Sequence, residues 1–421
     1  MGMNLTTDST SSSDIACQGC GARGLASLLD LGYQPLCNDY TPMGEAPSPT
    51  TFYPLCVYYC EKCSLAQLGY VIPTEDTFGE QYTYLTGSSK SLIEYYEGLA
   101  QQLTQQFDLH PGDVVVDIGS NDGTFLKALR SQGLSPIGIE GSPQAAAISK
   151  KEEIPTIDRF FGVGSAESVK QQLPQGSKIK LVIAMNVLAH TDNINEFLTE
   201  LKELMDEDTV FISSSHWLIA LIRNFEFDTI YHEHLRYYTM RSLMGVLERN
   251  GLHVFDGELT DFYGGSILCY SKLQQLPPTE SLTGILKQED EIDVPDSLIS
   301  MKNALIKNKS RLLTMLVDLK ASGKRVIGVG APMKASTLLN FYGITPDLIE
   351  YVAEVNELKV GTLVPGVQIP VIHEDAVFED PPDYAILLSW NMAAPIMRNY
   401  RANGFKGKFI MPVPIPEVID E

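Results

Sequence analysis

The chain has 421 residues, of which 44% are hydrophobic and 20% charged, the proportions of a globular protein long enough for more than one domain. A net charge of −22 repels phosphate backbones and anionic lipid, so nucleic acid and membrane surfaces are excluded as expected partners and a small-molecule substrate is expected. Residues 1–14 are polar and Ser/Thr-rich without an apolar segment, so they read as a disordered tail with no export signal, and no apolar run approaches a membrane span. Seven cysteines then indicate a reducing, cytoplasmic setting, where cysteine spacing is read for metal before disulfides.

Residues 15–75 are rich in Cys and Pro, with short strand-like pieces such as PLCVYYC and SLAQLGYVI. Cys17-Gln-Gly-Cys20 and Cys60-Glu-Lys-Cys63 form two CxxC pairs separated by residues 21–59. Each CxxC knuckle places two thiolates on one side of a tight turn, and two knuckles complete a tetrahedral zinc site. Four thiolates leave no open position for water, so the zinc is structural. Cys37, Cys56 and Cys269 lack such spacing and are expected to be packing residues.

Residues 76–270 alternate strand-like runs (VVVDIG, PIGIE, LVIAMNV, TVFISS, SILCY) with helical stretches, which predicts βαβ units around a parallel sheet. Before the first of these strands, FGEQYTYLTGSS carries Tyr82 and Tyr84 where a segment can cover a cofactor. VVVDIGSNDGTFLKAL reads as strand, glycine loop and helix: Asp117 ends the strand, and Gly119 and Gly123 permit a tight turn and close approach by a ligand. About twenty residues on, PIGIE ends in Glu140, an acid placed to accept both hydroxyls of a ribose. The pattern admits a dinucleotide or S-adenosylmethionine. The loop is D-x-G-x-N-x-G around Asn121 rather than GxGxxG, and LVIAMNVLAH brings Asn186 and His190 to the crevice edge; both features favour the methyl donor.

The run DTIYHEHLRYYT over 228–239 sets Tyr231, His232, Glu233, His234, Tyr237 and Tyr238 into eight positions. A buried strand would not tolerate that density of polar groups without partners. Two His, one Glu and three Tyr suit proton transfer and enolate stabilisation; HxH with an acid also resembles a metal-ligand set, and a solvated loop is the bland alternative.

Residues 271–322 open with a Pro-containing linker and the acidic QEDEIDVPD, then form a helix with Leu298, Met301, Leu305, Leu312, Leu316 and Leu319 roughly on one face. Strand–helix alternation returns over 323–421 (RVIGVG, ASTLLNFYG, YVAEV, YAILLSW, KFIMPV), a second, smaller α/β domain. Lys334, after the GVGAP turn at a helix start, and Lys359 are candidates for binding an anionic substrate.

Together the double knuckle, DIGSNDG, NVLAH, YHEHLRYY and the C-terminal block resemble the three-domain sugar C-methyltransferases of deoxysugar biosynthesis, among them the C-3 methyltransferases that make branched sugars such as tetronitrose and mycarose. The resemblance runs from Cys17 to Pro414. It implies an α/β architecture with a Rossmann-like S-adenosylmethionine domain flanked by an N-terminal zinc domain and a C-terminal α/β domain, the keto-sugar lying between the last two. It further implies a dTDP-4-keto-6-deoxy sugar as substrate, His234 as the base that removes the proton alpha to the ketone, and Tyr231, Glu233 and His190 as supporting catalytic residues. One tyrosine of the YTY run would close the site. Arg236 and His232 fall on the substrate side, His232 also competing with His234 for the role of base. Several stretches depart from the family pattern: Arg236 where a small residue is expected, GAPMKASTLLN, VAEVNELKVGTLVPG, and WNMAAPIM without the acid expected after WN. They concentrate on the substrate side of the C-terminal domain.

Two other readings compete. One is a methyltransferase of the same fold acting on a non-sugar carbonyl compound at C, O or N. The other is an NAD-dependent nucleotide-sugar oxidoreductase or epimerase using GVGAP, which has Gly328 and Gly330 but lacks the third glycine of the dinucleotide fingerprint.

Overall fold

The computed structural model describes residues 15–44, 50–73, 77–78 and 84–419. The expected tail 1–14 and Tyr82 lie outside the described residues.

The central sheet has seven strands in the spatial order 253–260, 266–272, 210–216, 179–185, 114–118, 135–140, 156–158. Val114–Ile118 is buried along its whole length, as its unbroken apolar run requires of a strand covered on both faces. It pairs in parallel with Ser135–Glu140 on one side and Ile179–Met185 on the other. The chain therefore leaves this strand in one direction and returns on the opposite side, opening a crevice at the carboxyl ends of the two neighbours. The hairpin His253–Thr260 and Ser266–Lys272 adds two antiparallel strands at the far edge. Helix Lys90–Gln106 covers one face through Leu92, Tyr96, Leu99, Ala100 and Leu103, an i, i+4, i+7 stripe.

The C-terminal domain repeats the same switch. Val326–Val329 pairs in parallel with Val352–Glu354 and with Tyr384–Leu387. Helix Val294–Ala321, 28 residues long, buries Leu298, Met301, Leu305, Leu312 and Leu316 along one face between the domains, with Leu319 partly buried near its end.

Two short pairings tie the three parts together. Arg236–Tyr237, within the polar run of the central domain, is the fourth strand of the N-terminal sheet, antiparallel to Ala66–Leu68. Thr41–Pro42 of the N-terminal domain is the last strand of the C-terminal sheet, antiparallel to Thr362–Leu363. The architecture is the mixed α/β fold expected, with the polar run at the junction of all three parts.

Candidate active site

The crevice at the switch of the central sheet opens into a cavity of about 920 Å³. The glycine loop forms one end of it. Gly119, Asn121 and Gly123 all have positive φ (71°, 50° and 81°), which bends the loop sharply out of the strand and into helix Thr124–Ser131. A Cβ on Gly119 would come within 2.6 Å of Val187 Cγ2, so only glycine fits there. Glu140 fastens the loop: its Oε2 accepts from the backbone N–H of Asn121 at 2.7 Å and its Oε1 from that of Ser142 at 2.6 Å. Burial pushes the Glu140 carboxyl up, and those backbone donors oppose the shift. Asp117 is 3% exposed, and burial and then the Glu140 charge hold its carboxyl well above the usual range. Among the described residues its Oδ1 has no hydrogen-bond partner, although the residue lines the cavity. An orphaned buried oxygen beside a glycine loop fits a ligand with hydroxyl or ammonium donors, as an adenosyl amino acid has.

Asn121 also reaches outward. Its Oδ1 accepts from Thr86 N at 2.9 Å and its Nδ2 donates to Tyr84 O at 3.2 Å, which docks residues 84–86 against the cavity mouth. The Tyr84 hydroxyl lies 2.5 Å from that of Tyr263. Asn186 lines the crevice with φ 56°, a left-handed conformation uncommon outside glycine. Gly123 does not line the cavity; it turns the chain into the helix, and a Cβ there would lie 2.5 Å from Ser149 Oγ.

The polar run supplies the opposite wall. Residues 231–233 form a turn, and this irregular backbone aims alternate groups differently. His234 Nδ1 donates to Thr229 O at 2.8 Å, so its Nε2 carries the lone pair, which stands 2.9 Å from the Tyr231 hydroxyl. His190 Nδ1 donates to Glu233 O at 2.8 Å, and its ring centroid lies 5.0 Å from that of His234. Burial lowers His190 to about 4 and takes His234 well below the usual imidazole range, so both rings are neutral at pH 7. Tyr231, His234, His190 and Glu233 all line the cavity. His232 does not: it is 1% exposed and meets Tyr53 of the N-terminal domain edge-on. Arg236 lines the wall but is 1% exposed, with both terminal nitrogens on Thr191 O.

At the far end the C-terminal domain closes the cavity with Lys334, in the first turn of helix Met333–Tyr342. The Lys334 ammonium sits 4.1 Å from the centre of the Trp390 ring, and Trp390 Nε1 donates to the buried Asp228 at 2.7 Å. Lys359 is elsewhere: it is 7% exposed at the domain junction and donates to Ala331 O at 2.7 Å. His216 and Glu226, which no sequence motif marks, also line the cavity, His216 Nε2 being 3.1 Å from Glu226 Oε2. Their signal was weak: His216 stands at the carboxyl end of a sheet strand, where ligands bind, but its acid partner follows only after a short helix.

At the N-terminal end, one thiolate sulfur from each of Cys17, Cys20, Cys60 and Cys63 lies within 4.8 Å of the others. Cys17 and Cys63 are 3.5 Å apart and Cys20 and Cys60 3.6 Å, the spacing of four sulfurs about one tetrahedral ion with bonds of about 2.3 Å. The donor set fits zinc.

A Rossmann-like crevice with this loop, acid and strand-end asparagine defines an S-adenosylmethionine-dependent methyltransferase. Three family models match the chain: a zinc binding domain over 17–78, a methyltransferase domain over 92–256, and a C-methyltransferase C-terminal domain over 261–414. C-methyltransferase NovU of Streptomyces niveus is 29% identical over 412 residues, covering 96% of each protein. Among solved structures, magnesium protoporphyrin IX methyltransferase from Synechocystis PCC 6803 matches 43% of this chain and 83% of its own, at 17% identity and a TM-score of 0.33. A methyltransferase from Clostridium acetobutylicum matches 43% and 91%, at 12% identity and a TM-score of 0.34. The three matches follow one another between residues 17 and 414, so the chain is similar over nearly its whole length to C-methyltransferases of this three-domain organisation.

Proposed function

We propose that the enzyme methylates a carbon alpha to the ketone of a nucleotide-linked sugar, a dTDP-4-keto-6-deoxy sugar, with His234 as the base. The observation that carries this reading is the neutral His234 ring, locked through Nδ1 to Thr229 O, with Nε2 on the Tyr231 hydroxyl inside the cavity that the glycine loop shares. A proton alpha to a ketone leaves only if the oxygen that gains charge is stabilised at the same time. When a ketone enters, the Tyr231 hydroxyl turns from His234 to the carbonyl oxygen. His234 Nε2 then takes the proton, the C–H electron pair passes into the enolate, and Tyr231 donates to the enolate oxygen. Asp117, Gly119, Asn121, Glu140 and Asn186 would hold S-adenosylmethionine, which would supply an electrophilic methyl group to that carbon, while Gly123 shapes the loop behind them. His190, fixed on the Glu233 carbonyl, keeps a second neutral imidazole beside the first. Asn121 pins Tyr84 at the mouth of the cavity.

The nucleotide assignment is supported by Lys334 at the opposite end of the cavity. Resting on the Trp390 face, its ammonium is presented without a carboxylate salt bridge among the described residues, which suits diphosphate oxygens.

The test is methyl transfer from [methyl-13C]S-adenosylmethionine to dTDP-4-keto-6-deoxyglucose, followed by NMR. The expected product carries the label as a carbon-bound methyl next to the carbonyl. Label on oxygen or nitrogen, or transfer only to ketones lacking the nucleotide, would overturn the corresponding half of the proposal.

A further inference from the structure

Residues 36–44 leave the zinc-bearing sheet and cross to the C-terminal domain, where Thr41–Pro42 pairs with Thr362–Leu363 and Met43 N donates to Gly361 O at 2.8 Å. On the way this strap passes behind the polar run. Cys37 Sγ donates to Glu233 Oε1 at 3.2 Å, and Asn38 Nδ2 donates to the same oxygen at 2.5 Å. The Asn38 amide also lies 3.8 Å from Met333 Sδ, next to Lys334. The Tyr40 hydroxyl reaches Ala331 O at 3.4 Å, and the ammonium of Lys359, on the same carbonyl, sits 5.2 Å from the centre of the Tyr40 ring.

These contacts converge on one residue from three directions. The Glu233 side chain is held by the N-terminal strap, with the buried Lys359 charge close by, while its backbone carbonyl holds His190. A buried carboxyl without donors would reorient, and the turn that carries it would shift with it. Cys37 is thus more than the packing residue its isolated position suggests.

We propose that Cys37 and Asn38 are positioning residues for methyl transfer: the N-terminal domain, through this strap, fixes the Glu233 carboxyl group and the turn on which the His190 ring rests, and ties that turn to the substrate-side domain. The proposal rests on the reading that the His190–Glu233–His234 cluster is the reaction site. It gives the N-terminal domain a part in the chemistry without placing zinc near the substrate.

Burial raises Glu233 to about 7, opposed by the Cys37 and Asn38 hydrogen bonds and by the Lys359 charge. The two donors favour the carboxylate, so removing either should move its titration to higher pH, by about one to two units for a hydrogen bond to a charged group. Infrared titration of the complex with S-adenosylhomocysteine reads this directly. The Glu233 band is identified as the protonated carboxyl C=O band lost in Glu233→Gln. Asn38→Ala and Cys37→Val should move its midpoint upward, Cys37→Ser should restore it by keeping a donor, and all should retain zinc and bind S-adenosylhomocysteine as the wild type does. With dTDP-4-keto-6-deoxyglucose, the first two should lose about tenfold or more in kcat with little change in KM. An unmoved midpoint in both Asn38→Ala and Cys37→Val overturns the proposal, as does an equal shift in Cys37→Ser. If instead the midpoints move but Glu233→Gln transfers methyl groups at the wild-type rate, the strap positions Glu233 as described and the site reading is what fails.

Discussion

Glu140 does two jobs with one carboxylate. It accepts from Asn121 N and Ser142 N and so shapes the glycine loop, and on the proposed reading its remaining lone pairs accept ligand hydroxyls at the cavity edge. Glu140→Ala removes both functions and should weaken S-adenosylhomocysteine by about 1–3 kcal/mol, the range for losing hydrogen bonds to a charged group. Glu140→Gln, whose amide oxygen can still accept, should fall between. Calorimetry on folded Glu140→Ala protein settles the point, and unchanged affinity would remove Glu140 from the cofactor site. The same scale explains why His234 and His232, two residues apart, have different surroundings: the first faces the cavity with Tyr231 on its Nε2, the second is packed against Tyr53. Residue types could not separate them, because the backbone there is a turn rather than a strand with alternating faces.

At the scale of elements, the strands with both faces buried were readable because burial forces continuous apolar runs: VVVDI, LVIAM and YAIL appear as such in the sequence and as strands in the fold. The glycine loop was readable because its turn needs glycine at fixed positions, and Glu140 because it ends the next strand of the sheet, which pairs in parallel with the first. Two-residue strands were not readable. Arg236–Tyr237 and Thr41–Pro42 have no periodicity of their own and exist only because a distant strand edge is offered to them. The Asp228–Trp390–Lys334 stack and the His216–Glu226 pair were hidden for the same reason, since tertiary contact and not local spacing makes them. Arg236 shows how a departure from the family pattern can be absorbed: its guanidinium caps the Thr191 carbonyl within the wall of the cavity.

At the scale of the whole molecule, the three parts are joined by shared sheets instead of being strung on linkers. The knuckles lie beside the sheet to which Arg236–Tyr237 adds, through Ala66–Leu68, so a metal held by the four cysteines would support the polar run from outside. Purified protein should contain about one zinc per chain, as four thiolates hold a single ion. Chelation or Cys17→Ser should lower the melting temperature and activity together, and should loosen proteolytic protection of the N-terminal domain first. A metal-free protein with wild-type melting and full activity would contradict a structural role for these cysteines.

The proposed removal of a proton alpha to the carbonyl by His234 can be isolated from methyl transfer. With S-adenosylhomocysteine bound, no methyl group is available, and dTDP-4-keto-6-deoxyglucose in deuterium oxide reports proton removal alone. The wild-type enzyme should exchange the hydrogen on the alpha carbon, His234→Asn should slow this by about 100- to 10,000-fold, the usual contribution of a positioned base, and the variant should still bind both ligands. Undiminished exchange in His234→Asn, with loss of exchange in a His190 or His216 variant, would contradict it and move the base to another wall of the same cavity.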